Sequence, residues 1–161
     1  MEEKLNNKYR EIAEIVNEMI PESWEIVHIY AQISDTGGGV YFYYKSERYN
    51  DFVYSLEITR LYNVDGEQYD EKEYEFYKLA EELQELFKAN KQELWYSFTM
   101  SLQNTGEFKI HFDYTDWFET EYGFGDQMII WKYKYLDEKP KDEKLQRVID
   151  KYLFEYPKNP I

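Results

Sequence analysis

The spacing of the apolar residues changes at Pro21, and this change restricts the fold more than any other feature of the sequence. Before Pro21 the apolar residues recur every three or four positions, which predicts a helix over residues 3–19 that the proline ends. From Trp24 onward they alternate, which predicts a β-strand. The helical positions are Leu5, Tyr9, Ile12, Val16 and Met19, and the strand carries Val27, Ile29, Ala31 and Ile33 on one face with Ile26, His28, Tyr30 and Gln32 on the other.

Two more strands are predicted directly after the first. The segment "SDTGGG" at 34–39 is a turn, and "VYFYYK" at 40–45 alternates again. A third short strand is expected in "DFVYSLEI" at 51–58. The glycine run does not match the phosphate-binding pattern G-x-x-x-x-G-K-[ST], because a tyrosine-rich strand follows it instead of a helix. These strands predict an antiparallel meander.

A second helix and a hairpin follow. Helical spacing runs through residues 70–90, and Asp70 with Glu73 suggests a capping box at its start. The hairpin turns at "NTGE", and its two strands are predicted to face inward with Leu94, Tyr96, Phe98, Met100 and Leu102, and with Phe108, Ile110, Phe112 and Tyr114. The opposite face is polar and is expected to meet solvent; it carries Trp95, Ser97, Thr99, Ser101, Lys109, His111 and Asp113.

The end of the chain is less clearly patterned. Residues 126–136, "DQMIIWKYKYL", fit a strand about as well as a helix. A last helix is predicted after Pro140, and "PKNPI" at 157–161 is expected to be a loose tail. The fold class is therefore α+β: a single domain over residues 1–161, with an antiparallel sheet of five or six strands and about three helices in the order α-βββ-α-ββ-(β or α)-α.

Composition excludes several classes of function. There are 33 Asp and Glu against 19 Lys and Arg, and the net charge of −14 disfavours direct binding to nucleic acid or to anionic membranes. No apolar run reaches the roughly 18 residues of a membrane span, and the acidic N-terminus is unlike a secretory signal peptide, so a cytoplasmic location is expected. The absence of cysteine excludes thiolate catalysis and Cys-ligated zinc.

No pattern in the chain indicates an active site. His111 shares a strand face with Asp113, but such neighbours are ordinary on the solvent face of an antiparallel sheet. The carboxylates of residues 113–121 do not follow a calcium-loop spacing, and no serine lies in a G-x-S-x-G elbow. We therefore expect no catalytic residue, no metal site and no cofactor.

The densest cluster of acids and aromatics lies at residues 112–122. Protein interfaces favour this mixture, because large rings act as anchors while charge steers the partner. The residues expected to contact a partner are Asp113, Asp116, Trp117, Glu119, Glu121 and Tyr122. For Trp117 and Phe118 a core position is an equally good interpretation.

Four segments resemble the YezG/EsaG-like immunity proteins of Gram-positive bacteria. They are "VNEMIPESWEIVHIYAQI" at 16–33, "VYFYYK" at 40–45, "LWYSFTMSLQNTGEFKIHFDY" at 94–114 and "IIWKYKYL" at 129–136. The resemblance covers nearly the whole chain and implies a non-enzymatic antitoxin. Such proteins are encoded beside secreted toxins, often LXG or related type VII-exported proteins, and neutralise their C-terminal nuclease domain inside the producing cell. The implied partner is thus a basic nuclease surface.

Two other interpretations stay open at this point. One is an acidic adaptor that binds a basic protein unrelated to toxins. The other is a metal-dependent enzyme that uses Asp113, Asp116 and Glu119 with Mg²⁺ or Ca²⁺. The sequence does not indicate an oligomeric state.

Overall fold

A five-stranded antiparallel sheet is the main feature of the computed structural model, which describes residues 1–161. The strands are β1 (Trp24–Ser34), β2 (Gly37–Ser46), β3 (Phe52–Tyr54), β4 (Ser97–Gln103) and β5 (Phe108–Asp113). Their order across the sheet is β3-β2-β1-β4-β5, so β1 is central. The α+β class and the antiparallel sheet predicted from the alternation are confirmed.

Five α-helices accompany the sheet. They are α1 (Glu2–Met19), α2 (Ile58–Leu61), α3 (Gly66–Ala89), α4 (Phe124–Leu136) and α5 (Glu143–Glu155). The chain forms two compact units, Met1–His111 and Phe112–Ile161. The first unit holds α1 to α3 and nearly all of the sheet; the second holds α4, α5 and the segment that joins β5 to α4.

The hairpin between β1 and β2 depends on glycine. Ser34 pairs with Gly37, so only Asp35 and Thr36 form the turn. Gly37 has a φ of +131°, a conformation that L side chains rarely adopt. A Cβ on Gly38 would lie 2.0 Å from the carbonyl oxygen of Gln32. The hairpin predicted at residues 34–39 is confirmed, but its turn is only two residues long and the glycine run is the start of β2. The close backbone approach at Gln32 explains why Gly38 carries no side chain.

Helices α1 and α3 pack against each other through their apolar stripes. The buried positions are Ile12, Ile15, Val16 and Met19 on α1, and Phe76, Ala80, Leu83 and Phe87 on α3. The predicted start of α3 was wrong by five residues. The side chain of Asp65, not Asp70, caps this helix by accepting a hydrogen bond from the Gln68 N–H at 3.0 Å.

The face of β4 that was expected to meet solvent is mostly buried. Trp95 lies just before β4 and therefore escapes the alternation; its ring meets Phe87 and Phe98 edge-on, with centroids 6.1 and 5.3 Å away. Ser97 and Thr99 are buried too, and Thr99 pairs with Tyr30 of the central strand. The prediction was wrong for Ser97 and Thr99 because β4 pairs with the central strand, where these two residues lie opposite the buried Gln32 and Tyr30.

In the second unit, residues 126–136 are helical, which settles the ambiguity of the sequence. Helix α4 ends at Asp137, whose left-handed φ of 53° forms the C-cap. The predicted loose tail is instead ordered. Tyr152 donates to Oδ1 of Asn159 at 2.7 Å and accepts from the N–H of Ile161 at 3.2 Å, and the Ile161 side chain is buried.

Candidate interaction site

The candidate site begins where β5 ends, at a buried carboxylate. Asp113 is 3% exposed. Its Oδ1 accepts a hydrogen bond from the Thr115 N–H at 2.9 Å, and its Oδ2 accepts one from the indole Nε1–H of Trp117 at 2.7 Å. These two bonds turn the chain out of the sheet and fix where the next residues lie. Asp113 therefore organises the segment that follows and does not itself meet solvent.

Residues Trp117–Glu119 form one turn of 3₁₀ helix. Asp116 caps it, because its Oδ1 accepts from the Phe118 N–H at 3.1 Å. Thr120 closes the other end: its hydroxyl and its N–H both donate to the carbonyl oxygen of Trp117, at 2.7 and 3.1 Å. Each end of this short turn is thus held by a side chain, which gives an otherwise unstable element a defined geometry.

Trp117 belongs to a buried aromatic cluster. It is 2% exposed, and Tyr122 is 5% exposed. The Trp117 centroid lies 5.7 Å from Tyr122, 5.9 Å from Tyr152 and 5.2 Å from Tyr156. Tyr152 and Tyr156 stack on each other at 5.5 Å. The core interpretation of Trp117 thus describes its place in the structure, and the ring cluster attaches the 3₁₀ turn to α5.

The neighbouring aromatic has the opposite orientation. Phe118 is 61% exposed, although it follows Trp117 directly. Glu119 is exposed and Asp116 is half-buried, so two of the residues nearest to Phe118 in the chain are acids with solvent access. Of the six residues predicted to contact a partner, the structure places Asp116, Glu119 and Glu121 at the surface, and Asp113, Trp117 and Tyr122 inside.

Glu121 is engaged within the protein. Its carboxylate lies 2.8 Å from Nζ of Lys151, which also reaches within 3.7 Å of Glu155 and over the ring of Tyr122. The hydrogen bond and the charge of Lys151 lower the pKa of Glu121. Lys151 on α5 was not anticipated as part of this region, because nothing in the local sequence links it to Glu121.

The segment that follows β5 carries acidic residues and no basic ones. Residues 113–126 contain Asp113, Asp116, Glu119, Glu121 and Asp126, and neither Lys nor Arg. Asp113 is used inside the fold and Glu121 is paired with Lys151. The remaining acids leave a negative surface beside the exposed ring of Phe118, which suits a positively charged partner.

The histidines and carboxylates do not form a metal-binding cluster. No group of three or more His, Asp or Glu side chains is arranged to hold a metal ion. His28 is buried, its Nδ1 lies 2.7 Å from the hydroxyl of Ser101, and burial lowers its pKa to about 4. His111 is exposed on β5. Among the helices, none has the length and apolar character that crossing a membrane requires.

Comparison with known proteins identifies the family. Residues 5–150 match the family model of the YezG-like immunity proteins. The chain is 35% identical to the immunity protein YezG of Bacillus spizizenii, over 93% of each chain. It is 37% identical to the type VII secretion system protein EsaG of Staphylococcus aureus, over 88% of this chain and 87% of that one. Identity to YezG of Bacillus subtilis is 30%, over 92% of this chain and 99% of that one. The chain therefore belongs to the YezG-like immunity protein family.

Proposed function

We propose that this protein is an antitoxin that binds the C-terminal nuclease domain of a cognate secreted toxin and blocks it in the cytoplasm of the producing cell. The observation that carries the proposal is the family match over residues 5–150, together with relatives named as immunity proteins along nearly their whole length. The relative named as a type VII secretion system protein supports a toxin exported by that route. In this proposal the protein acts by binding and carries out no reaction.

The charge of the chain fits a nuclease as the partner. A net charge of −14 attracts basic surfaces over long distances. Nucleases hold phosphates with Lys and Arg, so the surface that grips DNA is positively charged. An acidic protein that covers this surface competes with the nucleic acid for the same Lys and Arg side chains of the nuclease. Inhibition then requires only that the complex be tight and form quickly, as in other immunity pairs, which reach a Kd of roughly 10⁻¹³ M or lower.

The acidic segment after β5 is the proposed contact region. Asp116, Glu119 and Glu121 lie at its surface and would face the toxin. Asp113, Trp117 and Tyr122 contribute from beneath, since their contacts hold the backbone that presents those acids. The six residues predicted from the sequence thus divide into three that touch the partner and three that position them.

A titration tests the function directly. Purified protein is added to the nuclease domain of the toxin encoded beside its gene, and cleavage of plasmid DNA is followed. Complete inhibition near one equivalent is the expected result, with an unrelated nuclease of similar activity left uninhibited. Unchanged cleavage in the presence of several equivalents of folded protein would refute the nuclease-inhibitor function for that pair and favour an adaptor that binds some other basic protein.

A further inference from the structure

Phe118 combines two properties that rarely occur together at a protein surface. Its side chain is 61% exposed, and its backbone is fixed on both sides. The capping carboxylate of Asp116 holds its N–H, and Thr120 holds the carbonyl oxygen of the preceding residue. An exposed apolar side chain is common by itself. An exposed apolar side chain on a turn whose backbone is fixed by hydrogen bonds is already in the conformation that a partner would bind.

The residue before Phe118 supplies the rigidity. Trp117 is tied to Asp113 through its indole N–H and packs against three tyrosine rings. Because consecutive residues of the turn point in different directions, burial of Trp117 forces Phe118 outward. Little conformational entropy then remains to be lost when Phe118 enters a pocket, and this preorganisation increases affinity without additional contacts.

The charge around Phe118 indicates what kind of partner fits. Asp116 lies two residues before Phe118 and Glu119 directly follows it, and residues 113–126 contain neither Lys nor Arg. A partner with an acidic rim would be repelled, whereas an apolar recess bordered by Lys or Arg would meet both the ring and its neighbours favourably. A second copy of this chain, with the same net charge of −14, would be repelled as well.

We propose that Phe118 is the central anchor of the interface with the toxin and inserts into an apolar recess surrounded by basic residues on the nuclease domain. This inference rests on the proposed function, because it names the residue by which the antitoxin would grip that domain. Trp117 and Asp113 act as positioning residues, since they hold the turn and do not touch the partner. The proposed anchor, Phe118, directly follows Trp117, the aromatic residue that the sequence analysis placed among the partner contacts.

The test compares two exposed phenylalanines. Phe118→Ala is expected to raise the Kd for the purified nuclease domain by at least about 30-fold, the loss typical of a hot-spot residue. Phe154→Ala is the matched control: Phe154 is 87% exposed on α5, one helical turn after Asp150 and Lys151 in the chain, and its loss should change the Kd by less than about threefold. Phe118→Leu keeps an apolar side chain and should recover part of the affinity.

Thermal unfolding of each variant shows whether it is folded, and both alanine variants should match the parent because the two rings are largely exposed. If the parent protein binds the nuclease domain and Phe118→Ala binds equally well, the anchor is wrong and the antitoxin function stands. If Phe154→Ala loses the affinity instead, the interface lies on α5. If the parent protein itself does not bind, the proposed function fails and the anchor fails with it.

Discussion

The indole Nε1–H of Trp117 donates a hydrogen bond to Oδ2 of Asp113 over 2.7 Å, and both side chains are almost completely buried. A buried carboxylate is costly unless donors compensate for its lost hydration. Here the donors are this indole and the Thr115 N–H. The pair therefore stabilises the fold and, through the turn that follows, shapes the surface of the candidate site.

Removing the indole donor should destabilise the protein measurably. Trp117→Phe keeps most of the buried ring but leaves Oδ2 of Asp113 without this donor, and the free energy of unfolding should fall by about 2 kcal/mol. Urea denaturation is then measured for Trp117→Phe, for Asp113→Ala and for the double variant. The loss of stability in the double variant should differ from the sum of the two single losses by at least about 1 kcal/mol. Trp24→Phe is the control, because Trp24 donates to Asn17 at the surface and its loss should cost less than about 1 kcal/mol. Strictly additive losses would contradict this assignment.

The two neighbouring glycines of the hairpin should respond differently to alanine. At Gly38 the added Cβ would meet the Gln32 carbonyl oxygen at 2.0 Å, so backbone has to move, and the free energy of unfolding should fall by about 3 kcal/mol. At Gly39 nothing lies within 4 Å of the added Cβ, so Gly39→Ala should change stability by less than about 1 kcal/mol. Equal melting temperatures for the two variants would show that the close approach is absent in solution.

Periodicity predicted the elements whose apolar faces are set locally. Helix α1, strand β1, the hairpin of β4 and β5 and helix α5 each show one period, and each lies within a few residues of its prediction. Helix α4 could not be assigned because its apolar residues satisfy both periods. The beginning of α3 was misplaced because two acids, Asp65 and Asp70, each suit a helix N-cap, and the sequence does not show which one the chain uses.

Contacts between distant residues could not be predicted from the sequence. The carboxylate of Glu22 accepts hydrogen bonds from Tyr44 at 2.5 Å, from Ser46 at 2.8 Å and from Tyr62. Burial alone would raise the pKa of Glu22, but these three hydroxyl donors outweigh it and lower that pKa. In the candidate site the sequence shows acidic and aromatic residues but not which of their side chains are buried. Which of Trp117 and Phe118 points outward depends on the Asp113 hydrogen bond, and no local pattern encodes that bond.

Burial of His28 should make stability depend on pH in mildly acidic solution. Its pKa is lowered by burial from 6.5 to about 4, so between these values the unfolded chain binds a proton that the folded chain excludes. The free energy of unfolding therefore rises with pH across this window, by at most about 3 kcal/mol from this group.

Urea denaturation between about pH 4.5 and pH 7 measures this contribution, because His28→Gln should show a smaller loss of stability on acidification than the parent. His111→Gln is the control, because it removes the other imidazole of the chain, which is exposed on β5. An identical pH dependence in the parent and in His28→Gln would mean that His28 is protonated as easily in the folded protein as in the unfolded chain.

Removing the single hydroxyl of Tyr152 should loosen the last residues of the second unit. Tyr152→Phe removes the donor to Asn159 and the acceptor of the Ile161 N–H, and the free energy of unfolding should fall by about 1 to 3 kcal/mol. Hydrogen exchange should become faster in residues 157–161. Tyr156→Phe is the control, because Tyr156 stacks on Tyr152 through its ring and should keep that contact. Unchanged exchange in Tyr152→Phe would show that this hydroxyl does not hold the tail.

Association with the toxin should depend strongly on salt if charge guides the encounter. Raising the salt from about 50 to 500 mM should slow association about tenfold or more and change dissociation far less, because screening acts on the approach of the two proteins. Surface plasmon resonance with the nuclease domain measures both rates. The double variant Asp116→Asn with Glu119→Gln should slow association. The control is the double variant Glu85→Gln with Glu93→Gln, which loses the same two negative charges from exposed positions in the first unit and should slow association less. Equal rates for the two double variants would leave a role for the net charge of −14 but none for the segment after β5.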